Sequence, residues 1–147
     1  MDKIEIANLY QRDIQRVIDE INLFKDDSNI WKTCGSVTNS SGNLVLHLVG
    51  GLNYLIGTNL GKTNYIRNRD SEFTIKDVDK GQLVERLTEL RSMIDRTLNS
   101  LTKEQLESSF PIFFDKENAT SSYVLIQLLL HLNYHLGQIN YLRRTLE

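Results

Sequence analysis

The sequence predicts an all-α fold, a four-helix bundle with long connections. Three observations lead there. Apolar residues recur at three- and four-residue spacing in four separate stretches of about 20 residues. The only proline, Pro111, falls between the third and fourth of them. The chain has 147 residues, 40% of them hydrophobic, enough for one sizeable core, so residues 1–147 are expected to form a single domain.

The first helix is expected from about Asp2 to Lys25. Ile14, Val17, Ile18, Ile21 and Phe24 paint one apolar stripe, and Asp13, Arg16, Asp19 and Glu20 take the wet side. Asp26-Asp27-Ser28-Asn29 ends the helix with turn chemistry. A long connection follows through Trp31, read as a packing residue, and Cys34, read as an inert or buried thiol.

The second helix starts at Ser40 or Ser41, either of which can cap it, and is expected to reach about Asn64. At about 100° per residue, Asn43, His47, Gly50, Gly51, Tyr54 and Thr58 share one face. Two glycines in mid-helix cost roughly 1 kcal/mol each relative to alanine. Close approach of a neighbouring element or room for a ligand above His47 would each explain them. Next comes Tyr65-Ile-Arg67-Asn-Arg69-Asp-Ser-Glu72-Phe73. If extended, Arg67 and Arg69 point the same way and can clamp a carboxylate or phosphate; the plainer alternative is a solvated loop with local Arg–Glu pairing.

The third helix is expected from about Asp79 to Leu101, with Leu83, Leu87, Leu90, Ile94, Leu98 and Leu101 in a bundle-type repeat. Thr102-Lys-Glu-Gln105 reads as a capping box. The fourth helix begins after Thr120-Ser121-Ser122 and runs almost to the end. It is apolar nearly all round from Val124 to Leu132, which predicts a central position. Each connection is about 15 residues, long enough to cross the height of a bundle, so a simple up-down order is not required.

The formal charge is −2 and no basic tract is present, which argues against nucleic acid as a partner. The single cysteine allows no intrachain disulfide and fits a reducing compartment. The start, MDKIEIANLYQRD, lacks the pattern of a signal peptide. The most apolar run, Tyr123 to Leu132, is too short to span a bilayer. A cytoplasmic location without a membrane partner is the expectation.

The chemistry concentrates in the histidines, of which there are three. His131 and His135 are one helical turn apart, and His47 lies on another apolar helix. Each would be costly to bury unpaired, and one shared ion would satisfy all three. Such a site keeps open positions, as a catalytic metal does. No Asp or Glu stands out as a fourth ligand. Three neutral nitrogens suit zinc and nickel, then iron, cobalt or copper. Gln127 and Gln138, on the same face as His131 and His135, are natural hydrogen-bond partners for the rings or for a ligand. Loss of the metal below about pH 6 is expected as the rings protonate.

His131-x-x-x-His135-x-Gly137-Gln138-Ile-x-Tyr141-Leu-Arg-Arg resembles the DinB-like (YfiT-like) superfamily of four-helix metalloenzymes. Gly42-Asn43-Leu-Val-Leu-His47, Asn53-Tyr54-Leu-Ile-Gly57 and Tyr65-Ile-Arg67-x-Arg69-x-x-Glu72-Phe73 resemble a bacterial branch of it. The likeness runs from about Asn39 to Arg144. It implies a non-simple helix order, a metal on His47, His131 and His135, and frequent homodimers. Some such relatives are thiol-dependent transferases or isomerases using bacillithiol or mycothiol. Relatives often carry histidine where this chain has Tyr54. The expectation is therefore a metal-dependent enzyme acting on a small molecule, an S-transferase with a low-molecular-weight thiol. Arg67, Arg69, Gln138 and Tyr54 are the expected cofactor- or substrate-binding residues. A non-catalytic metal-binding or stress-related bundle and a metal-dependent hydrolase are the alternatives.

Overall fold

The computed structural model describes residues 1–147, all helix and connection with no β-strand. Helix α1, Lys3–Leu23, begins with a reciprocal cap: Asp2 accepts from the Glu5 amide, and Glu5 accepts from the Asp2 amide. It buries Ile6, Tyr10, Ile14, Val17 and Ile21. Asp13 departs from the expected wet side and is fully buried. Arg12, Arg16 and Asn133 all donate to its carboxylate, which is why burial is tolerated there.

A 3-10 turn, Asp27–Trp31, carries Trp31 onto the start of the next helix. A Cβ at Gly42 would stand 2.7 Å from the Trp31 ring, so the indole packs where only glycine leaves room. Helix α2, Ser41–Leu52, is capped by Ser40 and passes into a π-helical turn, Asn53–Thr58. The second helix therefore ends short of Asn64 and changes pitch on the way. The short α3, Arg69–Thr74, lies in what the sequence suggested as extended or loop chain. Helix α4, Lys80–Ser100, follows an Asp79 cap, and α5, Lys103–Glu107, opens with the Thr102–Gln105 capping box. Helix α6, Ser121–Leu146, is capped by Thr120.

Four long elements make the bundle. Helix α1 packs on α4 and α6, and α2 packs on the same two, so α1 and α2 stand on a diagonal. Neighbours in sequence are thus not neighbours in space, which the long connections permit. Helix α6 is not central. It buries Val124, Leu125, Leu128, Leu132 and Ile139 but leaves Leu130, Tyr134 and Tyr141 exposed, with Ile126 partly so. As one corner of four it has α1 and α2 as its long neighbours, with the short α5 and the Asp27–Trp31 turn also touching it, and its outer side stays open. No helix is long and apolar enough to cross a membrane.

Candidate metal centre

His47 stands on α2, and His131 and His135 on successive turns of α6. These two helices pack against each other. One ring nitrogen from each histidine lies within 4.8 Å of those of the other two. His47 Nε2 and His131 Nε2 are 3.1 Å apart. A tetrahedral zinc with Zn–N bonds of about 2.0–2.1 Å holds its nitrogens roughly 3.3 Å from one another.

Tautomers are set from behind. His47 donates from Nδ1 to Glu72 Oε1 at 3.1 Å, and His135 donates from Nδ1 to Gln138 Oε1 at 2.6 Å. With the proton on Nδ1, each ring turns the lone pair of Nε2 toward the common point. His135 Nε2 is buried and has no hydrogen-bond partner. An orphaned buried acceptor facing two other imidazoles is the observation that a cation fits best. No protein group accepts from His131 Nδ1, so in the metal-free chain its Nε2–H is free to donate to His47 Nε2.

The local Arg–Glu pairing offered as the alternative is present, between Arg67 and Glu72, but buried rather than solvated; what sequence reasoning missed is that Glu72 backs His47. Glu72 is buried, and the Arg67 fork holds it through Nε–Oε2 and Nη2–Oε1 contacts, both 2.9 Å. Gly50 makes the space, since a Cβ there would sit 2.0 Å from Glu72 Oε2. The backbone of α3 is tied down as well. Asn43 Nδ2 donates to the carbonyls of Glu72 and Ile75, while its Oδ1 accepts from Ser40 and Lys76. The mid-helix glycine and the polar face of α2 therefore serve one carboxylate. Two signals in the sequence pointed to it: Gly50, one turn past His47, and an acid five residues beyond Arg67.

Burial pushes all three imidazoles below their ordinary range. His131 is lowered to about 4, first by burial and then by the neighbouring His135, His47 and Arg67. Neutral rings are what a metal needs, and burial favours the neutral form of all three.

A cavity of about 380 Å³ reaches His47 and His131, with Arg67, Arg69 and Gln127 on its walls. Arg67 and Arg69 thus share a pocket, but Arg67 is committed to Glu72. Arg69 lies 5.7 Å over the Phe73 ring, which in turn stacks 5.1 Å from His47. Gln127 lines the pocket and bonds to no histidine. Tyr54 does not line it; Leu55 does. In a π turn each residue advances less around the axis, so the face of His47 passes to Leu55. Gln138 belongs to a second cavity of about 480 Å³, on the His135 side, together with Cys34 and Thr145. Cys34 is exposed, so of the inert or buried thiol expected the buried form is not found.

An all-α bundle with a three-histidine cluster, backed by a carboxylate and an amide, is the class that fold and site define. The chain belongs to the DUF1572 family, described as a protein of unknown function, whose pattern matches residues 3–147. It is similar to a solved structure titled "Crystal structure of the conserved protein of locus from Enterococcus faecalis". That likeness has a TM-score of 0.77 at 14% identity, covers 98% of this chain and 96% of that one, and bears on the fold alone. No curated protein matches.

Proposed function

We propose that the chain is a single-domain, metal-dependent enzyme of the DinB-like type, with a divalent ion, zinc or nickel, on His47, His131 and His135. The observation that carries this reading is the convergence of the three rings, two of them fixed by Glu72 and Gln138 so that their lone pairs meet. An ion held there would act as a Lewis acid and lower the pKa of a bound thiol or water. The chain's own residues do the rest. Glu72 and Gln138 hold the ring protons at Nδ1, and Arg67 holds Glu72 in place. Leu48, Leu52, Leu55 and Leu128 give one side of the centre an apolar wall.

Thiol-dependent S-transfer to a small molecule is the reaction class we favour, with Arg69 and Gln138 placed to contact cofactor or substrate. Cavities on both sides of the histidines leave room for two reactants. Tyr54 keeps no part in this reading, since it lies off the pocket. A homodimer through the open side of α6 and a cytoplasmic setting complete the proposal.

The test is turnover of electrophiles with a panel of low-molecular-weight thiols, using metal-stripped and zinc- or nickel-reloaded protein. Activity should need both metal and thiol. Tightly bound metal without any thiol-dependent turnover would favour a non-catalytic metal-binding bundle, and turnover without thiol a hydrolase.

A further inference from the structure

The pocket beside the centre has an uneven distribution of charge. Arg67 and Glu72 form a closed two-point pair. Asp115, also on the wall, accepts from the Tyr123 hydroxyl at 2.8 Å. Arg69 alone has no acid within ion-pair distance and donates to no protein group. Its guanidinium is nevertheless held, because it rests on Phe73, which itself stacks on His47. On the α6 side, the Gln127 amide also lines the pocket without a protein partner. Much of the remaining wall is apolar, made by Leu48, Leu52, Leu55, Leu128 and Phe114.

We infer that this pocket takes a small ligand with one carboxylate and an apolar stem, the carboxylate on Arg69 and the stem running inward toward His47 and His131. The inference names the substrate class for the site proposed above and rests on that reading for what the ligand's far end does. A carboxylate matches the planar fork of one arginine, with Gln127 able to donate a further hydrogen bond. A phosphate-type dianion would meet one free cation and the carboxylate of Asp115. The clamp of two arginines that the sequence suggested is therefore divided: Arg69 reads the ligand, and Arg67 is a positioning residue for Glu72.

The experiment uses the full chain without metal, so that its outcome is separate from that of the metal reading. Hexanoate, 1-hexanol and hexylphosphonate are titrated while NMR follows the Arg Nε–H and Gln side-chain amide signals. Hexanoate should shift the signals of Arg69 and Gln127 and bind at least about fivefold tighter than hexanol. Arg69→Gln should abolish that preference while leaving hexanol affinity unchanged. Equal affinity for hexanol, a preference retained in Arg69→Gln, or no binding of hexanoate would overturn the proposal. So would shifts confined to the Cys34 side or tighter binding of hexylphosphonate.

Discussion

Glu72 shows how much of the site depends on residues that would never touch a metal. Its carboxylate fixes the tautomer of His47, and Gly50 exists on a helix to let it in. Glu72→Ala removes the acceptor behind His47 Nδ1 and leaves the Arg67 fork without its partner, so nothing fixes the ring's tautomer. Metal affinity should fall about 10- to 100-fold, measured by competition with a chromophoric chelator. Gly50→Ala should weaken metal binding too, because the new methyl and the carboxylate cannot share the space. Unchanged affinity in both variants would remove Glu72 from the account. The histidines set the pH behaviour. Their pKa values are depressed in the fold, so the unfolded chain takes up protons first. Stability of the metal-free protein should hold above the ordinary value of 6.5 and fall below it, until His131 protonates near pH 4. Thermal melts across that window check the sign. Stability that rises from pH 6.5 to 4 would contradict the burial argument. The histidine triplet was legible in the sequence because two members sit one turn apart and the third lies on an apolar helix. The hydrogen bond from His47 to Glu72 was not, since it depends on a tertiary contact between α2 and α3.

At the scale of elements, the buried Asn43 amide ties α3 to α2 beside the Glu72–His47 contact. Asn43 satisfies its full hydrogen-bonding capacity there, with both carbonyl contacts under 3.0 Å, at 2.9 and 2.8 Å. Asn43→Ala would leave those carbonyls and the Lys76 ammonium without this partner. It should destabilise the protein by about 1–3 kcal/mol in denaturant melts and raise hydrogen exchange across Arg69–Thr74. Exchange that stays at the wild-type level would show that α3 is held by other contacts. The helical periodicity of α1, α4 and α6 was readable because a 3.6-residue repeat is written directly into the spacing of apolar residues. The π turn was not. Nothing in Asn53-Tyr54-Leu55-Ile56-Gly57-Thr58 marks a change of pitch, and one extra residue in the turn exchanges Tyr54 for Leu55 at the pocket. Asp13 misled for a related reason. A charge on the core side of a helix reads as solvated until its partners, one of them 120 residues away, are in view.

Across the whole molecule, the diagonal placement of α1 and α2 puts α2 and α6 side by side and so makes the histidine site possible. Connection length hinted at this order, but chain crossings leave no periodic mark in a sequence. The same arrangement leaves the outer side of α6 uncovered, with Leu130 58%, Tyr134 65% and Tyr141 71% exposed in one row. If a second copy covers that row, Leu130→Glu should convert a dimer to a monomer in sedimentation velocity, with the helical spectrum unchanged; a wild-type monomer would end the dimer proposal. The central claim is that three imidazoles from two helices share one ion. X-ray absorption on cobalt-loaded protein tests it most directly. One cobalt per chain with three imidazole nitrogens at about 2.0–2.1 Å, lost in His47→Ala and in His131→Ala, is the predicted result. No stoichiometric uptake, or a coordination shell that survives removal of His47, would contradict it.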